Sequence, residues 1–153
     1  MYDFFVAPLR CPACGAESPA GARTNMQTRL RDDADGSALT VGTRLSPGDV
    51  DPDNILDAAY QSIRRPAPGE PIRLLETWHC PACGRSDNWA VVEIDDGVIE
   101  KIEAVKLDRA TLESAHFISD QCEILAAQIS DVPARDLATG KVSCVDVLRA
   151  RLP

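Results

Sequence analysis

Aromatic residues are scarce in this chain: three Phe, two Trp and two Tyr make up 5% of its 153 residues. A core must therefore be filled by Val, Ile, Leu and Ala. No run approaches the roughly 18 apolar residues that a membrane-spanning helix requires, so a bilayer-crossing helix is not expected. The first residues, Met1-Tyr2-Asp3-Phe4-Phe5-Val6, contain neither a basic region nor an apolar stretch of signal-peptide length. A cytoplasmic location is the expectation. Basic runs are also missing: Lys and Arg total 16 against 24 Asp and Glu, for a net charge of −8. Phosphate backbones are bound by neutralising them with cations, and the pairs Arg29/Arg31 and Arg64/Arg65 are too few to do so. The chain is thus a poor candidate for binding nucleic acid or anionic membranes, whereas an acidic surface suits solubility or a basic protein partner. Neither a glycine-rich phosphate loop nor a nucleophile elbow or triad motif occurs, and no enzymatic activity is expected.

What remains is an ordinary globular composition, 44% hydrophobic and 26% charged. The length suits one domain, or one domain with an appended segment. Residues 2–10 read as a strand. Thr24 to Arg31 and Ala38 to Leu45 flank the turn signal Asp32-Asp33-Ala34-Asp35-Gly36, which predicts a hairpin. Between the breakers at 46–49 and 65–71, Asp51-Pro52-Asp53 opens either a short helix with Ile55, Ala58, Ala59 and Ile63 on its apolar side or an extended excursion. Ile72 to His79 alternates as a strand, with Ile72, Leu74 and Trp78 on one face. Asn88 to Asp95 and Val98 to Leu107 flank Asp96-Gly97, a two-residue hairpin signal. That register sets Trp89 against Ala104, Val91 against Ile102 and, unfavourably, Glu93 against Glu100.

From Asp108 the period lengthens. Leu112, Ala115, Ile118, Cys122, Leu125 and Ile129 recur every three or four residues, predicting one amphipathic helix over 109–129 capped by Asp108. Pro133 and Thr139-Gly140 interrupt, and Ser143 with Asp146 opens a last helix to about Leu152. The helical stripe either packs on the chain's own sheet or forms a seam with a second copy or a partner's helix.

Two near-identical units carry the chemistry: Cys11-Pro12-Ala13-Cys14-Gly15 and Cys80-Pro81-Ala82-Cys83-Gly84. Two residues between cysteines let a tight turn aim both sulfurs at one ion. Pro fixes φ at the start of that turn, and Gly after the second cysteine accepts a positive φ. Each unit supplies two ligands, so Cys11, Cys14, Cys80 and Cys83 complete a tetrahedral all-sulfur site for one metal, zinc by preference. Iron takes the same ligands and is the alternative. In a reducing compartment this pattern favours metal over disulfides.

The units resemble the knuckles of the zinc-ribbon and rubredoxin-like families, which have this Cys-Pro-x-Cys-Gly form. The resemblance implies a β-rich site with a knuckle at each end of a small sheet. The separation of the knuckles by residues 15–79 is much longer than the usual ribbon insert.

Other residues have weaker patterns. Glu113 and His116 form a Glu-x-x-His on the expected helix, and Asp120 and Glu123 extend that face; metal binding would need a second copy on another helix, so a solvated polar face is expected. His79 precedes Cys80 and reads as a plain strand residue. Cys122 and Cys144 fall among apolar residues and behave as small hydrophobes.

The sequence thus predicts an α+β protein: a β-rich zinc-ribbon-like domain over 1–107 with a long insert between the knuckles, then a helical tail over 108–153 that packs on the sheet or forms an oligomer interface. The expected role is non-enzymatic: an accessory or adaptor protein with a structural zinc and a protein partner, with a homodimer through helix 109–129 one possibility. The alternatives are a rubredoxin-like iron electron carrier and an acidic inhibitor or toxin-neutralising protein.

Overall fold

The alternating strand that begins at Ile72 becomes the centre of the protein. A computed structural model describes residues 1–153. In chain order the elements are β1 (Asp3–Phe5), β2 (Gln27–Thr28), β3 (Ala38–Leu39), α1 (Pro52–Asp57), β4 (Tyr60–Ser62), β5 (Ile72–Trp78), β6 (Asn88–Asp95), β7 (Val98–Val105), α2 (Arg109–Ser114), β8 (Phe117–Ser119), α3 (Cys122–Ile129), α4 (Ala134–Ala138) and α5 (Cys144–Arg151). The class is α+β. A five-stranded sheet has the order β4-β8-β5-β6-β7, and a three-stranded sheet the order β2-β1-β3.

Both faces of the larger sheet are covered. On one, Leu74, Trp78, Val92 and Ile102 pack against Phe5, Leu9, Met26, Leu30 and Leu39 of the N-terminal layer. On the other, Leu75, Trp89 and Ile118 meet Leu112, Cys122, Ala126 and Leu148 from the helices. The helical stripe therefore faces the chain's own sheet. Adjacent residues Leu74 and Leu75 serve opposite cores, as the period of two requires.

The hairpin expected across residues 32–36 does not form. β2 and β3 instead lie on either side of β1, antiparallel and parallel to it. The apolar start of the chain is the better partner: Phe5 is fully buried, its N–H bonds Met26 O at 3.0 Å, and Val6 N–H bonds Leu39 O at 2.9 Å. The buried Asp3 carboxylate fixes this arrangement. It accepts both Nε and Nη2 of Arg31 at 2.7 Å and the backbone N–H groups of Asp35 and Ser37, and the Arg31 guanidinium holds its pKa below the usual carboxylate value.

The hairpin at Asp96-Gly97 does form, with a correction in register. Asp95 pairs with Val98 and Ile94 with Ile99, but a bulge then leaves Glu100 unpaired and Glu93 opposite Lys101. The like-charged pair that the simple register demands is replaced by an opposite-charged one, and Trp89 faces Val105 instead of Ala104.

The helix expected over 109–129 is three elements. Asp108 caps α2 as foreseen, accepting from Thr111 N–H at 2.8 Å, but Ala115 is extended and ends it. β8 follows and slots between β4 and β5, parallel to β5. Phe, Ile, Ser and His are mediocre helix formers, and completing the sheet buries Phe117, Ile118 and Ser119 together. The apolar spacing survives because Leu112, Ala115, Ile118 and Cys122 all enter the same core, through helix, strand and helix in turn. The segment after residue 107 thus contributes a strand to the sheet as well as its helical cover.

The expectations for the shorter segments hold in part. Pro52 opens α1, although Asp51 makes no side-chain cap bond, and Ser143 caps α5 by accepting from Asp146 N–H at 3.3 Å. Ile63 is buried beyond β4 and not on α1. No helix is long and apolar enough to cross a membrane.

Candidate metal centre

Two chain segments deliver the cysteines. The extended stretch after β1 runs through Leu9 into Cys11, and β5 runs through His79 into Cys80. The turns that follow are near copies. Cys11 N–H bonds Ala16 O at 2.9 Å and Gly15 N–H bonds Cys11 O at 2.9 Å; Cys80 N–H bonds Arg85 O at 2.9 Å and Gly84 N–H bonds Cys80 O at 2.8 Å. Gly15 and Gly84 sit at φ of 74° and 79°, a region that side chains disfavour. The residue types anticipated for the turn occupy the positions that need them.

All four sulfurs lie within 4.8 Å of one another. Cys11 Sγ is 3.7 Å from Cys83 Sγ, and Cys14 Sγ is 3.7 Å from Cys80 Sγ. Four sulfurs placed tetrahedrally at about 2.3 Å from one ion are spaced roughly 3.8 Å apart, whereas a disulfide would bring two to about 2.05 Å. The contacts run between the units, as a shared ion requires. Cys11 and Cys80 are buried; Cys14 and Cys83 are exposed.

The backbone favours thiolates at the two buried positions. The Cys14 N–H and, more weakly, the Ala13 N–H point at Cys11 and lower its pKa to about 6 against the effect of burial. Cys80 is lowered in the same way by the N–H groups of Cys83 and Ala82. Cys83 receives the Arg85 N–H, yet partial desolvation of its sulfur within the cluster and the neighbouring thiols push it up to about 11. Four like charges cannot collect here without a cation, so the donor set fits a divalent metal that makes all four ionise.

Asn88, which opens β6, was not legible as a site residue. Its Nδ2 donates to Cys11 Sγ at 3.8 Å and to Arg85 O at 3.4 Å, and the residue is 2% exposed. Hydrogen bonds of this kind orient and tune metal ligands.

The other candidates separate. His79 is exposed, with Nε2 3.4 Å from Asn25 Nδ2, outside the sulfur cluster. Glu113, His116, Asp120 and Glu123 do not share a solvated face. His116 is 1% exposed, its Nδ1 accepts Arg73 N–H at 3.0 Å, and its Nε2 lies 3.1 Å from Glu70. Desolvation lowers its pKa, against the opposing pull of Glu70. Glu113 pairs with Arg149 at 3.0 Å, while Asp120 and Glu123 are half-buried. Cys122 and Cys144 are buried in the helical core, and desolvation raises both thiols. No protein-family model matches this chain, and comparison with curated proteins and with solved structures yields no match.

Proposed function

We propose that Cys11, Cys14, Cys80 and Cys83 hold one zinc ion in a closed structural site, within a non-enzymatic accessory or adaptor protein that binds a protein partner. The observation that carries the metal assignment is the convergence of four sulfurs within 4.8 Å of one another, with 3.7 Å across two inter-unit pairs. Four sulfur ligands leave no coordination position for water or substrate, which supports a structural over a hydrolytic metal. The net charge of −8 supports a partner with a basic face, and an inhibitor or toxin-neutralising protein is one form of that reading. The test is removal of the ligands. Cys11→Ser/Cys83→Ser loses the metal, loosens the N-terminal layer and aggregates; a metal-free double variant as stable as the parent contradicts the structural role. The partner half predicts a stoichiometric complex with one basic protein that weakens steeply with salt. Binding insensitive to salt contradicts it.

A second reading, electron transfer by iron, is favoured by one feature. Cys14 and Cys83 are exposed, which would bring a redox metal close to the surface. That reading requires a coloured protein with a reversible one-electron couple.

A further inference from the structure

The face of β5 that carries Ile72, Leu74 and Trp78 also carries Glu76, a carboxyl 3% exposed in the core. One of its oxygens accepts the Tyr60 hydroxyl, which lies 2.9 Å from Thr28 Oγ1. No protein donor reaches the other oxygen. Glu76 lines a cavity of about 470 Å³, bounded also by Asn25, Gln27, Tyr60, Asp120 and Gln121. Neither Glu76 nor Asp120 has a cationic ion-pair partner. Arg29, at the same cavity, is instead stacked on Tyr2 at 4.2 Å and bonded to its hydroxyl at 2.6 Å.

Holding this arrangement has a cost. Burial raises Glu76 to about 8 and, with Glu76 beside it, raises Tyr60; burial alone raises Asp120. The cavity walls also include Asn25 and Ala59, two of the three non-glycine residues at positive φ, at 62° and 69°. Strained backbone and an uncompensated buried acid gather at functional sites more often than in plain cores.

We propose that this cavity binds a small organic cation, a molecule whose protonated amine inserts between Glu76 and Asp120 while Asn25, Gln27 and Gln121 hold its polar body. The wall chemistry selects this class. Two carboxyls disfavour an anion, and the mostly polar lining disfavours an apolar ligand. A metal ion needs converging donors, yet the only His, Cys, Asp and Glu side chains that converge in threes or more are the four cysteines. An ammonium needs only two or three acceptors in hydrogen-bond reach. Its charge beside Glu76 favours the carboxylate, so a proton leaves Glu76 as the cation enters. The other titratable groups facing this space are Tyr60 from β4, Asp120 after β8, His79 after β5, and Arg29 and Tyr2 at the cavity wall.

The experiment is calorimetric titration of the metal-loaded full chain at pH 7 with putrescine, ethanolamine and agmatine, in two buffers of different ionisation enthalpy. Glycerol and calcium chloride serve as controls. At least one amine binds and releases up to about one proton per site. In Glu76→Gln that amine binds at least tenfold more weakly and the proton release disappears; Asp120→Asn also weakens binding. Unchanged metal content and circular dichroism show that both variants are folded. Failure of all three amines to bind, affinity unchanged in both variants, or Glu76-dependent binding of calcium or glycerol in place of an amine overturns the proposal.

Discussion

Asn88 is the side chain outside the cysteines that donates to a sulfur of the four-cysteine cluster. Truncating it removes a donor that spreads the negative charge of the thiolates. Asn88→Ala is expected to weaken metal affinity by about 10- to 100-fold, read by competition with a chromophoric chelator; unchanged affinity removes Asn88 from the site. Glu76 makes a prediction about pH. Its pKa is raised from 4.5 to about 8 by burial, so between those values the folded state holds a proton that the unfolded state has lost. Stability therefore falls as pH rises through this window, by up to about 1.4 kcal/mol per pH unit. Glu76→Gln should flatten that slope in chemical denaturation at pH 5 to 8, and a slope identical to the parent's contradicts the burial. At this scale the cysteines were legible because two-residue spacing is a local property. Asn88 was not, because its contact with Cys11 spans 77 positions. Glu76 did leave a signal: it interrupts the apolar phase of Ile72, Leu74 and Trp78.

Among the elements, β8 is the clearest case that periodicity misassigned, and β4, within the stretch read as a helix through Ile63, is another. The neighbours of β8 in sequence are helical and its apolar residues continue their spacing, so only the vacancy between β4 and β5 selects a strand. Such tertiary selection is invisible to a local pattern. The two readings differ at His116, which a continuous helix leaves in solvent but the break buries against Arg73. His116→Ala strands the Arg73 N–H and opens a gap, and should cost about 1–3 kcal/mol. Ile124→Ala, at a side chain 58% exposed on α3, should stay within about 0.5 kcal/mol. Equal, small effects in urea denaturation would restore the solvated face. By contrast, β5, β6 and β7 were legible because their alternation and the Asp-Gly turn agree. The unfavourable match of Glu93 with Glu100 even marked where the bulge falls.

For the molecule as a whole, the four-cysteine cluster joins two layers. The segment that follows β1 brings Cys11 and Cys14 from the N-terminal layer; β5 brings Cys80 and Cys83 from the central sheet. The opposite face of that sheet has its own core beneath the helices. Removing the metal should therefore loosen the N-terminal layer first. With a strong chelator, amides of β1 to β3 should exchange faster while those of β5, β6 and α5 remain protected, read by hydrogen exchange. Uniform loss of protection contradicts the layered account. The α+β class and the four converging cysteines were readable in advance. The order of the small sheet was not, because β1 reaches β2 and β3 only after the intervening loops fold back.

The central claim, one structural zinc held by four thiolates, is tested most directly by elemental analysis of the protein purified from cells without added metal, with its visible spectrum recorded alongside. The account predicts one zinc per chain and no colour. Iron with sulfur-to-iron absorption would move electron transfer to the front, and a metal-free protein with titratable thiols or disulfides would contradict the account outright.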